Sequence, residues 1–320
     1  MLSSLPLVSI CIPAHNSEKF VGQTINCLLN QTWQNLEIVV VDDGSTDQTS
    51  QVLGQIYDSR VKYFRQTNKG AAAARNEAFN QSSGDFIKFM DADDLLNAQC
   101  IEKQLLKINK LPDSIASAAW GRFYSDDASD FVYSVEEVWK DLGGIEWLIN
   151  SLLPTGANMM QPGIFLVPRS IIEKAGPWDE SLSLIDDFEY MIRVLVQCSQ
   201  VVFCEEAVLM YRSGNANTLS GQTSSKHMLS AFNSLNQGIQ TILKVQNDPR
   251  SRQACANTYK RWSYLFYPEH EDLWNKMDIE IQNLGGSDIK MMGGKGLIAL
   301  SRIIGWKSAK KMKLFLDGKS

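Results

Sequence analysis

The first hundred residues switch repeatedly between two hydrophobic periods, and that switching restricts the chain to one class of fold. "LVSICIP" (7–13), "LEIVVVDDG" (36–44), "VKYFRQ" (61–66) and "DFIKFMD" (85–91) are short apolar runs rich in β-branched and aromatic residues. They alternate with "SEKFVGQTINCLLN" (17–30), "STDQTSQVLGQIYD" (45–58), "KGAAAARNEAFNQ" (69–81) and "NAQCIEKQLLKIN" (97–109), whose apolar residues recur at helical spacing. Strands alternating with helices predict an α/β fold with a mostly parallel central sheet flanked by helices. Continuous runs such as "IVVV" fit strands buried on both faces.

Sheets of this kind bind ligands outside the carboxyl ends of their strands. Three of the four predicted ends are polar, "PAHNSE", "DDGSTD" and "DADD", and should converge on one crevice. The last is the most demanding. Asp91, Asp93 and Asp94 close an apolar strand within four residues, and burying like charges is costly unless something pairs with them. A hard divalent ion, Mg²⁺ or Mn²⁺, takes one or two carboxylates together with phosphate oxygens. Asp91 and Asp93 are its predicted ligands, while Asp94 or Asn97 is expected to start the next helix.

At the second strand end, Gly44 permits a tight turn and Ser45, Thr46 or Asp47 can cap the following helix. That leaves Asp42 and Asp43 as carboxylates exposed to a nucleoside base or ribose. Lys69 and Arg75 flank the start of the third helix, where they are either solvated charges or anion contacts beside a terminus that favours phosphate.

Other chemistries lack their signatures. No GxGxxG follows the first strand, "GGKG" near 294 lacks the Ser or Thr of a P-loop, and there is no GxSxG. The three histidines are far apart, which offers no zinc pattern. Six cysteines without a CxxC read as reduced thiols of a cytoplasmic protein. A net charge of −5 disfavours nucleic acid as a partner. The N-terminus has no basic region leading into a long apolar core, so no signal peptide is expected. No apolar stretch reaches the ~18 residues of a spanning helix.

From about 111 to 220 the pattern is mixed. "AAWGRFYS" and "GIFLVP" read as strands, "SIIEKAG" and "DDFEYMIRVLVQ" as helices, and "VVFCEEAVLMYR" as one or two closing strands. Beyond about 222 only helical patterns remain, near 224–246, 250–266, 269–284 and 295–316. The last of these is basic: residues 290–320 carry eight Lys or Arg against the single acid Asp317, on an otherwise acidic chain. It reads either as a helix packed on the body with a solvated basic face or as an interfacial helix on anionic membrane. A dimer contact is a third use of the same surface.

The ordered set "VSICIPAHNSEKF", "LEIVVVDDGSTD", "NKGAAAARNEAF", "GDFIKFMDADD" and "AGPWDESLSLIDDFEYMIRV" resembles an inverting family 2 glycosyltransferase with the GT-A fold, over roughly residues 6–215. The resemblance implies a nucleotide-binding half in 1–110, an acceptor-binding half in 111–220 and a helical extension in 221–320. It implies that Pro13, Ala14, His15 and Asn16 line the base pocket, with His15 where the family often has an aromatic residue. Glu18 and Asp43 would lie near the nucleoside. Asp91-Ala92-Asp93 would be the DxD motif that meets ribose and metal, with Lys69 or Arg75 near the departing diphosphate. Asp187 falls where the family places its catalytic base; Asp186 stands where a Glu is usual, so either acid of the pair can take that role. An N-cap or first-turn acid is the structural alternative for Asp187.

The implied substrates are a nucleotide-diphosphate sugar and a saccharide or lipid-linked acceptor, in cell-surface polysaccharide or glycolipid synthesis at the cytoplasmic face of the membrane. A non-catalytic sugar-nucleotide binder with a degenerate site is the competing reading. Where members often carry Tyr-Arg-x-His, this chain has Tyr211-Arg212-Ser213-Gly214, which leaves the metal to the DxD carboxylates, phosphate and water. The following loop, "SGNANTLSG", is expected to order over the donor.

Overall fold

The computed structural model describes residues 5–157, 159–214, 224–290 and 294–316. The alternation expected in the first hundred residues is present as β1 (Val8–Ala14), α1 (Val21–Leu29), β2 (Leu36–Asp43), α2 (Thr49–Gly54), β3 (Val61–Gln66), α3 (Ala71–Asn80) and β4 (Phe86–Phe89). β1 pairs in parallel with both β2 and β4, and β2 with β3. Every residue of β2 is buried, as a strand covered on both faces requires. α1 buries Val21, Thr24, Ile25 and Leu28, a stripe at helical spacing. Truncating Leu28 to Ala would open a cavity costing about 2–5 kcal/mol.

The second half is mixed. It comprises β5 (Leu95–Leu96), α4 (Cys100–Ile108), β6 (Ser114–Phe123), β7 (Val132–Tyr133), α5 (Gly144–Leu152), β8 (Phe165–Pro168), α6 (Arg169–Ala175), α7 (Asp186–Leu195) and β9 (Gln200–Arg212). The sheet runs β3-β2-β1-β4-β8-β6-β9-β5, with β7 on β6. β8 is antiparallel to both β4 and β6, whereas β6 and β9 are parallel. β9 is one strand, with three extra residues bulging between Cys204 and Val208 where β6 passes directly from Ala118 to Ala119.

Several elements differ from the sequence reading: the two-residue strands β5 and β7 were not expected, and two helical regions also depart from it. α5 was not expected; Trp147, Leu148, Ile149, Ser151 and Leu152 are buried, and its polar face is only the narrow stripe of Glu146 and Asn150, both held by Arg250. The basic helix of 295–316 is two helices, α11 (Lys295–Ile304) and α12 (Trp306–Leu316), parted at Gly305 with φ 77°. The others are α8 (Ser225–Val245), α9 (Pro249–Phe266) and α10 (Glu271–Asn283). Among the described residues no helix is long and apolar enough to cross a membrane.

Lys88 sits in mid-strand and fully buried. Its Nζ donates to the carbonyls of Gly163 at 2.7 Å and Phe165 at 3.1 Å. Burial pushes its pKa down, and the two carbonyls satisfy it. The contact fastens the turn before β8 to β4, directly beneath the acidic strand end.

Candidate active site

The polar strand ends do converge. A cleft of about 620 Å³ is lined by Pro13, Ala14, His15, Asn16 and Glu18 from the end of β1, Asp43 from β2, Asp91, Ala92 and Asp93 from beyond β4, and Asp186 and Asp187 from α7. Arg75 and Tyr211 also reach it. Lys69 is not among the lining residues; its side chain is exposed, and its contribution is a backbone N–H.

The β1 end is held rigidly. His15 Nδ1 lies 2.9 Å from the Asp43 carbonyl, which can only accept, so Nδ1 carries the proton. Nε2 then accepts from Asn16 Nδ2 at 3.1 Å. Glu18 accepts the Gln48 N–H at 2.7 Å, and Asp47 accepts the N–H groups of Glu18 at 3.1 Å and Thr49 at 2.9 Å. Glu18 thus helps satisfy the start of α2 as well as facing the cleft. Gly44 turns with φ 69°, and an added Cβ would stand 2.7 Å from the Asn68 backbone nitrogen.

Asp42 and Asp43 correct the expectation of exposed carboxylates. Asp43 is 3% exposed and accepts from Gln66 Nε2 at 2.7 Å, Lys69 N–H at 2.8 Å and Gly70 N–H at 2.7 Å. It thereby occupies the entry to α3 that might have received phosphate. Asp42 is fully buried and accepts from Ser45 N–H at 2.8 Å, the Ser50 hydroxyl and Tyr63 Oη at 3.3 Å. Burial alone would raise its pKa, but those hydrogen bonds and nearby Arg65 together hold it below the ordinary carboxylate value.

The β4 end is built differently. Asp94 does not start a helix: β5 intervenes, α4 begins at Cys100, and the start of α4 has no side-chain cap. Fully buried, Asp94 accepts the Arg212 N–H at 2.9 Å and Gln161 Nε2 at 2.7 Å. Burial, with Asp93 and Asp91 adding to it, pushes its carboxyl well above the ordinary value. Asn97 likewise serves β9, accepting the Val208 N–H at 2.9 Å. Arg212 spans the same junction. Its Nε donates to the Asp93 carbonyl at 2.9 Å, and its guanidinium lies 4.5 Å from the rings of both Phe20 and Phe123.

Arg75 also departs from the sequence reading. It is neither solvated nor free to grip an anion. Only 6% exposed, it donates to Asp91 at 2.9 Å and to Asp186 at 2.9 Å, joining the two acidic segments. Its guanidinium rests 4.5 Å over Trp178, which itself stacks on Tyr190 at 3.8 Å. One face of the guanidinium is therefore held on an aromatic stack, and its edge on two carboxylates, before any ligand arrives.

At the start of α7 the capping position is Ile185, not Asp187, and it is held in the left-handed region at φ 55°, ψ 33°. For a β-branched residue that conformation costs about 1–3 kcal/mol. Asp186 is buried on Arg75. Asp187 is half-buried, and its Oδ1 accepts the N–H of Phe188 at 2.9 Å. Desolvation first, and the charge of Asp186 second, push its carboxyl up to about 7. That is the range in which a carboxylate can take a proton at neutral pH.

Gln161, Arg212 and Trp178 build this site, yet their roles were not read from the sequence. Their partners lie 67, 118 and 103 positions away: Asp94, Asp94 and Arg75. The only local signals were the Pro after Gln161 and the Tyr-Arg pair closing β9. The loop expected to close over the donor lies largely outside the described residues.

Strand ends that gather carboxylates around one cleft, with a raised acid beside them, put the ligand site where open α/β sheets hold theirs. The family model of Glycosyl transferase family 2 matches residues 9–174, and the chain belongs to that family. It is 31% identical over 213 residues to an uncharacterized glycosyltransferase of Rickettsia typhi, covering 67% of this chain and 66% of that protein. It is 28% identical over 215 residues to glycosyltransferase GlyG of Streptococcus pneumoniae, covering 64% and 70%. The S. aureus TarS 1–349 structure in complex with UDP-GlcNAc superposes with a TM-score of 0.70 at 17% identity, covering 98% of this chain and 93% of that one. The fold is that of TarS, the GT-A fold, with C-terminal helices present.

Proposed function

We propose that this protein transfers a sugar from a nucleotide-diphosphate sugar to an acceptor hydroxyl with inversion at the anomeric carbon. The observation that carries the reading is the pairing of Asp187, pushed up to about 7, with a carboxylate-rich wall across the same cleft. A nucleotide sugar as donor is supported by the shared fold of TarS, which has been solved with UDP-GlcNAc and with UDP.

Asp187 accepts the proton of the acceptor hydroxyl. The acceptor oxygen forms its bond to the anomeric carbon from the face opposite the departing diphosphate, as the bond from that carbon to the phosphate oxygen breaks. One such displacement inverts the centre. Asp186, neutralised by Arg75, keeps the pair from carrying two free charges. An intact acid pair favours this reading over a degenerate sugar-nucleotide binder.

The cleft wall fits a hard divalent ion such as Mn²⁺ or Mg²⁺. Carboxylates outnumber cations along it, and Gln161 Oε1 is buried there without a protein partner. Among the described residues no group of three or more acids, histidines or cysteines is set to enclose an ion, so Asp91 and Asp93 would hold it with phosphate and water completing the shell. When bound, such an ion neutralises charge on the departing diphosphate.

Donor hydrolysis and thermal shift against a panel of nucleotide sugars, with and without Mn²⁺, test the proposal. At least one donor should stabilise the protein and release nucleoside diphosphate, more so with Mn²⁺. Release of inorganic phosphate instead, or silence across the panel, would overturn it.

We infer further that the acceptor is a saccharide or lipid-linked glycan of the cell surface, met at the cytoplasmic face of the membrane. α11 and α12 expose Ile303, Met312, Phe315 and Leu316 alongside Arg302, Lys311 and Lys313. Lys307 is committed elsewhere, 3.4 Å over Trp274. All six cysteines are unpaired thiols, as a reducing compartment requires. Full-length protein should pellet with anionic vesicles and not with neutral ones. Absence of pelleting, or a stable dimer through this face, would sink the membrane reading.

A further inference from the structure

The loop that carries the acid pair is held from behind by the C-terminal region. α8 presents Ser230, Ser234 and Gln237 along one stripe, a turn apart, to residues 179–185. Ser230 Oγ accepts the Ser183 N–H at 2.7 Å. Ser234 Oγ donates to the Ile185 carbonyl at 2.6 Å. Gln237 Nε2 donates to Asp179 Oδ2 at 3.4 Å. Both serines are buried, Ser234 completely. Gly238, next on α8, allows the close approach: an added Cβ would stand 2.7 Å from Ile192 Cδ1 and 2.8 Å from Phe188 Cε1 on α7.

One of these bonds, from Ser234, falls on the strained residue itself. Ile185 stays in the left-handed region only while its surroundings hold it there. Its carbonyl accepts from two sides, Ser234 on α8 and the Phe188 N–H at 3.1 Å in the first turn of α7. The second donor also holds Asp187 Oδ1. With Ile185 so turned, the chain enters α7 with Asp186 on Arg75 and Asp187 against the cleft. Released to an ordinary conformation, Ile185 would redirect the following two residues, because a backbone rotation at the entry of a helix swings the whole first turn.

We propose that Ser234, assisted by Ser230, is a positioning residue for the Asp186–Asp187 pair, so that the helical C-terminal region completes the active site. The role given to the acid pair rests on the glycosyl-transfer reading above; the clamp itself rests on geometry alone. Neither serine lines the cleft, so the pair acts through the loop and not on the substrate.

Two measurements on Ser234→Ala and Ser230→Ala separate the two ideas. Ser263→Ala serves as control: it removes another buried helix serine, which donates to the Lys260 carbonyl at 2.8 Å on α9. The first measurement is steady-state transfer or hydrolysis with whichever of UDP-glucose, UDP-GlcNAc or UDP-galactose the wild type turns over fastest. Ser234→Ala should lower kcat at least tenfold while the donor KM stays within twofold, Ser230→Ala should show a smaller loss of the same kind, and Ser263→Ala should match the wild type. Unchanged kcat in Ser234→Ala, or an equal loss in Ser263→Ala, overturns the proposal.

The second measurement is amide hydrogen exchange of residues 183–188 in the full chain, which needs no substrate. Exchange there should accelerate in Ser234→Ala and not in Ser263→Ala; equal protection in all three proteins overturns the clamp. Should the wild type turn over none of the three donors, the transfer reading is what suffers, and the exchange experiment still decides the clamp.

Discussion

Two strand ends of the same sheet carry adjacent carboxylates, and they have opposite fates. At the end of β2, Asp42 and Asp43 are buried among neutral donors: backbone N–H groups, hydroxyls and an amide, with Arg65 3.5 Å from Asp42. At the end of β4, Asp91, Asp93 and Asp94 crowd together, and Asp94 is pushed well above the ordinary carboxylate value. The first pair is satisfied by the fold and works as a fastening. The second is tied into the site itself, Asp91 to Arg75 and Asp94 to Arg212 N–H and Gln161, yet its acids still repel one another, and under the proposed function that crowding suits a cation and a diphosphate. A carboxylate at a strand end is therefore a functional candidate only after its donors have been counted.

The largest effect should come from the acid that shares the cleft with the β4 end. Asp187→Asn should reduce transfer by at least about 10²-fold, the lower range for losing a general base, with nucleotide binding intact. In the wild type, transfer should rise with pH through about 7 as Asp187 ionises. Stability runs the other way. A carboxyl whose folded value is raised holds its proton more tightly in the folded state, so it favours folding below its unfolded value and withdraws that support as pH rises through 7. Asp187→Asn should accordingly raise Tm at pH 8 and change it little at pH 4. Near-wild-type transfer by this variant would reassign the base to Asp186.

Next in size, Asp93→Ala should weaken Mn²⁺ binding, measured by calorimetry in the presence of UDP, by at least about 100-fold, the upper range for losing a metal's supporting partner. Asp42→Ala should leave Mn²⁺ binding alone. Equal losses in the two would erase the contrast between the strand ends.

The smallest effect on function, and the clearest on stability, belongs to the satisfied end. Asp42→Ala strands the donors around a buried site and should cost about 2–3 kcal/mol in urea unfolding. Because its folded pKa is depressed, Asp42 stabilises the protein above its unfolded value, and that support should fade as pH falls below the ordinary carboxylate range. A wild-type urea midpoint for Asp42→Ala would mean that the donors find water instead.

Much of the site could be read before the fold was known, because strand and helix periods are local properties. The run from Phe86 into Asp91 and Asp93 marked a strand end, and the ordered motifs located Asp187. What could not be read were the pairings. Arg75 looked like a surface charge or a phosphate contact until Asp91 and Asp186, 16 and 111 positions away, were seen to share it. Asp94 looked like a helix start until Arg212 and Gln161 claimed it. α5 escaped because its polar face is only Glu146 and Asn150, a stripe too narrow to stand out in so short a helix.

The sequence by itself determined the α/β alternation, the parallel half of the sheet and the gathering of acids at one edge, since each follows from spacing within a dozen residues. Only the tertiary structure decided which partner each acid meets. A carboxylate's state depends on the donors, charges and solvent that surround it, and here those come from Arg75 on α3, from Arg212 on β9 and from Gln161 before β8, brought to the cleft by packing that no local stretch encodes.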